Sequence, residues 1–269
     1  MSERTGIGWA HHTFNPWWGC FEISPGCDHC YAKREAERYG HHGLWGADAP
    51  RWEMSASYWG QPHRWNRKAE LAGERRRVFC GSHCDVMEDG AYLQSIRERL
   101  FPLIEATPWL DWLLLTKRPQ NFRKCLPATW VENPLPNVIG MTTVESAEFV
   151  WRARKLLDTP FLRRGLSLEP LLGRVDLEPY LSRLSWVIVG GESGSFARPC
   201  DVAWIRSVIQ ACAAAGVPCF VKQLGALPVA QPGSQPLRLM DRKGADCSEW
   251  LEGLCVQQFP AELRAKVSM

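Results

Sequence analysis

The stretch Cys20-Phe-Glu-Ile-Ser-Pro-Gly-Cys27-Asp-His-Cys30-Tyr31 carries the sharpest chemistry in the sequence. A Cys-x2-Cys spacing sets two thiols on one turn, close enough to share a metal ion or an inorganic cluster. Six residues separate Cys20 from Cys27, and Pro25-Gly26 turns the chain so that Cys20 can return to the same point. Three thiols followed by a helical stretch, Ala32 to Tyr39, suit a 4Fe–4S cluster whose fourth iron stays open to a small chelating ligand. Zinc is the competing reading, and it would want a fourth protein ligand. No second Cys-x2-Cys exists; Cys80 and Cys84 have three residues between them, and His11 or His12 would be a loose fourth donor. The bland reading is three unconnected thiols in a cysteine-rich chain, against which the tight spacing speaks.

The elements that must position these thiols follow a regular plan. Short, nearly unbroken apolar runs predict strands over 78–81, 112–116, 138–142, 165–168, 186–190 and 219–223, each reading as a strand buried on both faces of a parallel sheet. Helical periodicity runs over 91–106, 146–157 and 201–215, with Ser146 and Asp201 at N-cap positions and Gly216 then Pro218 as a stop. This alternation predicts right-handed βαβ units. With one more strand near Thr13-Phe14, the expected fold is α/β, a partial (β/α) barrel of about six to seven mostly parallel strands. It should occupy residues 1–225 and carry a Trp/Arg-rich insertion at about 41–77. Residues 226–269 hold four prolines and little periodicity, and read as a covering tail.

In such sheets ligands gather at the carboxyl ends of the strands. There the sequence places Gly81-Ser82 then Asp85, Thr116-Lys117-Arg118, Thr142-Thr143 then Glu145, Ser167 then Glu169, Gly190-Gly191-Glu192-Ser193, and Lys222-Gln223. Any one set is explained by strand ends meeting water and helix caps; six in register favour a site on that rim. The glycine loop at 190–194 suggests phosphate cradling, but no Lys-Ser/Thr follows it, so a nucleotide triphosphatase is excluded.

Composition narrows the class. The 269 residues are 45% hydrophobic and 23% charged, wrong for disorder, and no apolar run approaches a membrane span. The first five residues lack a signal-peptide core, so the expected location is the cytoplasm, with the eleven cysteines as thiols or metal ligands. All seven histidines and seven of the fourteen tryptophans lie within the first 83 residues. Between His41 and Arg77, seven Lys/Arg stand against four acids, and this window's +3 equals the net charge of the whole chain. Trp45, Trp52, Trp59 and Trp65 recur there among arginines. Rings interleaved with cations could grip an unpaired base or a phosphate backbone; the favoured alternative packs those rings into the barrel mouth with arginines in solvent.

The sequence from Gly8-Trp9 through Phe14-Asn15-Pro16-Trp17, Gly19-Cys20 and Ser24-Pro25-Gly26-Cys27-Asp28-His29-Cys30-Tyr31-Ala32 resembles the opening of a bacteriophage-associated family of three-Cys-motif proteins. That family's activity is unassigned, and it resembles radical S-adenosylmethionine (SAM) enzymes. The likeness continues through Val78-Phe79, Leu115-Thr116-Lys117-Arg118-Pro119, Ser167-Leu168-Glu169-Pro170-Leu171-Leu172, Val187-Ile188-Val189-Gly190-Gly191-Glu192-Ser193-Gly194, Arg198-Pro199 and Phe220-Val221-Lys222-Gln223-Leu224-Gly225. The usual radical-SAM cysteine spacing is three then two; here it is six then two.

The resemblance implies a radical-SAM-like barrel with a 4Fe–4S cluster on Cys20, Cys27 and Cys30, and SAM chelating the open iron. Reductive cleavage of SAM would give methionine and a 5′-deoxyadenosyl radical that abstracts hydrogen from the substrate, the cofactor carrying the hard step. On this reading Gly81 and Ser82 serve the methionine end, and Ser167 and Glu169 the ribose hydroxyls. Gly190 and Gly191 admit a flat ligand closely. Tyr31, Asp85 and Glu145 complete the cofactor-binding set. Lys117, Glu192 and Lys222 are the candidate catalytic charges, with internal salt bridges as their competing role. An external electron donor, a nucleic-acid substrate and a partner protein are the implied partners, with no membrane. The alternative is a zinc-stabilised module that binds nucleic acid or protein without turnover.

Overall fold

A computed structural model describes residues 5–231 and 233–263. Seven strands form one wholly parallel sheet in the order of the chain: β1 (His12–Phe14), β2 (Arg76–Cys80), β3 (Leu110–Thr116), β4 (Val138–Thr143), β5 (Arg163–Leu168), β6 (Trp186–Gly190) and β7 (Cys219–Gln223). Every strand predicted from the apolar runs is present, because a run without polar alternation is stable only where both faces are covered. The side-chain period of two divides these strands cleanly. Val78, Cys80, Trp112, Leu114 and Val138 join the large outer core, while Phe79, Leu113, Ile139, Trp186 and Phe220 meet Trp9 in a separate inner cluster. The inner cluster draws on strands from β2 to β7, and Trp9 stands 6.3 Å from Trp186 between ring centroids. The sheet is therefore curled into a partial (β/α) barrel.

The main helices are α1 (Tyr31–Arg38), α2 (Gln61–Ala72), α3 (Ala91–Glu105), α4 (Trp151–Leu157) and α5 (Val202–Ala214). Asp201 caps α5 by accepting from the Ala203 amide at 2.8 Å. Ser146 begins its helix without a side-chain cap, and that stretch is split into a 3-10 turn, Ala147–Phe149, before α4. The Arg152 guanidinium lies 4.4 Å over the Phe149 ring, three residues earlier on the same face. Gly140 in β4 is required for packing: a Cβ there would lie 2.1 Å from the Phe161 ring.

Within 41–77 the four tryptophans have different fates. Trp59 and Trp65 are buried in the core, Trp45 is half-buried, and Trp52 is 42% exposed in a short antiparallel pair with Trp17–Trp18. Arg51 is no solvated arginine; it donates to Glu88 at 2.6 Å, both side chains buried.

After residue 225 the chain returns to β7. The Val256 carbonyl accepts from the Val221 amide at 2.7 Å and the Gln258 amide donates to the Cys219 carbonyl at 2.9 Å, so the last strand's free edge is covered. One expectation about the cysteines is corrected here. Cys247 and Cys255 form a disulfide across a turn whose Cα atoms are 5.4 Å apart, a separation that admits the bond, whereas every cysteine had been expected as a thiol or metal ligand. Among the described residues, no helix is long and apolar enough to cross a membrane.

Candidate metal and cofactor site

The carboxyl ends of the strands open into a cavity of about 1620 Å3. Cys20, Cys27 and Cys30 all line it, with Tyr31 on α1 and Gly81, Ser82 and Asp85 after β2. Lys117 after β3, Ser167 and Glu169 at the end of β5, and Lys222 in β7 complete the predicted residues on its wall.

The cysteine loop is built rigidly around its thiols. Pro25–Cys27 forms a single 3-10 turn, the Cys27 amide donating to the Ser24 carbonyl at 2.8 Å, and Cys30 is the N-cap of α1. Arg198 fastens the turn from outside, donating to the Pro25 carbonyl at 2.9 Å and to Glu192 Oε1 at 2.6 Å. His29 Nδ1 lies 3.0 Å from Glu192 Oε2. Burial raises the Glu192 pKa, but hydrogen bonds from the Arg198 side chain and amide and from His29 outweigh it, holding this carboxyl below its ordinary value. Glu192, a candidate catalytic charge, is thus occupied as an anchor and does not line the cavity.

Glu145 lies behind the loop too, buried, its Oε2 accepting from Arg152 Nη1 at 2.7 Å. The loop presses on it through Gly26, where a Cβ would lie 3.1 Å from Glu145 Oε1 and 3.3 Å from Lys117 Cε. The glycine pair after β6 likewise faces protein. A Cβ on Gly191 would come within 2.2 Å of the Leu224 carbonyl oxygen, and one on Gly190 within 3.2 Å of Glu169 Oε1. Close approach is needed at both, but to the neighbouring chain; these glycines are not on the cavity wall.

Cys20 sits beside a buried ion pair. Arg118 Nη1 donates to Asp85 Oδ2 at 2.8 Å and lies 3.7 Å from Cys20 Sγ. Asp85 also accepts from Thr116 Oγ1 at 2.6 Å and from the Lys117 amide at 3.1 Å. Burial, reinforced by Asp85, pushes the Cys20 thiol up to about 12, while Arg118 pulls it down. A thiol so placed ionises when a cation binds it.

Ser82 is held in a network that its sequence neighbourhood hardly suggests. Its Oγ accepts from Asn15 Nδ2 at 2.9 Å and lies 3.1 Å from His83 Nδ1, while His83 Nε2 lies 3.2 Å from Glu35 Oε2. Burial lowers the His83 pKa against the opposing pull of Glu35. A neutral imidazole donating to Glu35 leaves Nδ1 to accept the Ser82 hydroxyl proton, which satisfies every member. Tyr31 and Glu35 stand one turn apart on α1, so the helix reaches two consecutive residues: Tyr31 Oη donates to the Ser82 carbonyl at 3.0 Å and Glu35 meets His83. Across the cavity, Lys222 Nζ stands 2.9 Å from Glu169 Oε1, and Ser167 Oγ donates to Glu169 Oε2 at 3.4 Å.

Sequence reasoning did not single out Asn15, Glu35, His83 or Arg198 as site residues. The i, i+4 spacing of Tyr31 and Glu35, and the places of Asn15 and Arg198 within the stretches that carry the family resemblance, are the visible signals; His83 meets the site only through the fold.

Among the described residues, no three or more His, Cys, Asp and Glu side chains converge as ligands of a single metal ion. The chemistry of the donors is compatible with a cluster nonetheless: three cysteines line one cavity, and cysteine thiolates are the ligands of iron–sulfur clusters.

The chain belongs to the family described as "Protein of unknown function (DUF5131)", which matches residues 4–260. No curated protein matches it. Among solved structures it is similar to a doubly substituted spore photoproduct lyase with bound AdoMet and dinucleoside spore photoproduct, at 14% identity and a TM-score of 0.45. The alignment covers 68% of this chain and 56% of that one, so the chain spans little more than half that protein's length.

Proposed function

We propose that this protein is a radical SAM enzyme in which Cys20, Cys27 and Cys30 hold a 4Fe–4S cluster and the cavity beside them takes SAM. The observation that carries the reading is the opening of all three thiols onto one cavity at the carboxyl rim of a parallel partial barrel. Held by Cys20, Cys27 and Cys30, such a cluster would supply the one electron needed for reductive cleavage of SAM, and so a route to hydrogen abstraction from the substrate.

The chain's own residues do the positioning. Arg198 and Glu192 hold the cysteine loop in place from behind, which leaves its thiols free to face the cavity. Arg118, tied to Asp85, keeps a cation against Cys20 and favours its thiolate. Glu169, paired with Lys222, remains a carboxylate able to accept from ribose hydroxyls, with Ser167 beside it. Ser82, held by Asn15 and His83 through its hydroxyl and by Tyr31 through its carbonyl, would serve the methionine end of SAM. Lys117 supplies a positive charge near the cysteine loop.

Protein purified without oxygen should be brown and contain about four iron and four sulfide per chain. After reduction it should release 5′-deoxyadenosine from SAM. Cys27→Ala should lose the iron while remaining soluble. Colourless wild-type protein carrying one zinc per chain would overturn the cluster, and a reduced, iron-loaded protein that leaves SAM intact would overturn the activity.

A further inference from the structure

Resting on the reading of this cavity as the active site, we infer that its substrate is a single-stranded nucleic acid, with phosphates on Arg38, Arg242 and Lys243 and bases on Tyr39 and Trp45. All five residues line the cavity.

Size gives the first argument. Small-molecule pockets are usually about 300–1,000 Å3. At about 1620 Å3 this one has room for a further ligand beside a cluster and SAM.

Charge gives the second. The cavity has four lining carboxylates, and each is already engaged: Glu22 with Lys33 at 3.4 Å, Glu35 with His83 at 3.2 Å, Asp85 with Arg118 at 2.8 Å and Glu169 with Lys222 at 2.9 Å. Arg38, Arg242 and Lys243 form no ion pair among the described residues, and all three are exposed. The cavity therefore keeps uncompensated positive charge supplied from two separate parts of the chain, the end of α1 and the segment after β7. Fixed cations spaced apart suit a chain of phosphates better than a single anion.

The cations after β7 are also firmly presented. Arg242 and Lys243 occupy a turn closed by the Gly244 amide on the Asp241 carbonyl at 2.9 Å. The Gly244 carbonyl accepts from the Leu224 amide at 2.8 Å and from Trp250 Nε1 at 3.0 Å. Gly244 has φ +62° and lies so close to β7's end that a Cβ would be 2.6 Å from the Gly225 carbonyl oxygen. Glu249 ties the turn's other side, accepting from the Met240 amide at 2.6 Å. The segment read as a cover is thus a built platform.

Rings complete the arrangement. Tyr39, directly after Arg38, is 63% exposed, its ring 6.5 Å from Trp18 between centroids and the rest of it open to a stacking base. Trp45 is half-buried and held beside the cysteine loop, the Gly46 amide donating to the Cys20 carbonyl at 3.0 Å. Aromatic faces next to phosphate-binding cations are how unpaired strands are gripped without sequence preference.

The test is fluorescence anisotropy of the full chain with a labelled single strand of about twelve nucleotides, over a series of salt concentrations, on iron-free and iron-loaded protein alike. Arg242→Ala with Lys243→Ala should raise Kd about tenfold and shrink the salt slope by about 1.4, the loss of two phosphate contacts. Tyr39→Ala should raise Kd at least about fivefold, and an abasic strand of equal length should bind correspondingly worse. Arg64→Ala with Arg67→Ala, on the exposed face of α2 outside the cavity, should leave Kd within about twofold. Absence of binding at low salt, an unchanged Kd and slope in the Arg242/Lys243 variant, or equal binding of an abasic strand or a glutamate-rich peptide would overturn the proposal. Iron content and 5′-deoxyadenosine release report separately on the cofactor reading: strand binding by a protein that never takes up iron defeats that reading alone, and SAM cleavage without strand binding defeats the substrate alone.

Discussion

At the amino end of the sheet, Asp111 is fully buried between Arg75, which donates to it at 2.7 Å, and Arg163 at 3.6 Å. Asn137 spends its amide on the Ile104 and Leu110 carbonyls nearby. Polar groups around Asp111 are turned on one another, although His11, His12, Lys68 and Arg76 line a separate cavity beside the first two strands. At the carboxyl end the pairs Glu145–Arg152 and Glu192–Arg198 are as tightly made, but they stand behind a surface of three thiols, the Asp85–Arg118 pair, Ser82, Ser167 and lysines that face the cavity. Around Asp111 the polar groups are consumed in holding the strands; at the carboxyl end some serve as a frame so that the rest stay available. Charged residues in a motif therefore divide into holders and users, and only their partners distinguish the two.

The comparison can be broken most forcefully at the closed end. Asp111→Ala leaves two arginines without their shared carboxylate and should lower unfolding free energy by about 3–5 kcal/mol, the usual cost of removing one member of a buried pair. A urea midpoint equal to wild type would show that the amino end carries no such share. Glu192→Gln should cost less, about 1–3 kcal/mol, and should loosen the cysteine loop, read as faster amide exchange at residues 25–30. It should also change the pH profile. The folded Glu192 pKa is depressed, so its contribution is present above the ordinary glutamate value, about 4.3, and is lost as pH falls through the lower folded value. Wild-type stability should fall through that acid range more steeply than the variant's; parallel curves would remove the anchoring role. Smallest of all, in iron-free protein Cys27→Ala should lower the unfolding free energy by no more than about 0.5 kcal/mol, as expected of a partly exposed side chain whose Sγ has a long contact of 4.0 Å to Ser24 Oγ. A large loss would place Cys27 among the holders.

Much of this was legible before any coordinates. The unbroken runs from Val78 to Gln223 could hardly be anything other than buried parallel strands, and Asp201 and Gly216 mark helix ends by local chemistry alone. Glu145, Gly190, Gly191 and Glu192 were harder. Their positions at strand ends are correct, yet position does not say whether a side chain faces the ligand or a neighbour such as Arg152, Leu224 or Arg198. The fate of the insertion's rings was equally hidden, because Trp59 in the core and Trp52 at the surface have the same local sequence character.

Local and periodic properties were thus determined by the amino-acid order itself: the strands, the principal helices, and a trio of cysteines close enough along the chain to act together. Hydrogen bonding and steric exclusion over a few residues are enough for these. What the tertiary structure alone decided was partnership across long separations, such as Arg198 on Pro25, Glu35 on His83, and the platform at 241–244 on the end of β7. Such contacts depend on how the sheet curls and where distant segments return, and a charge or a ring carries no mark of its partner until the chain has closed around it.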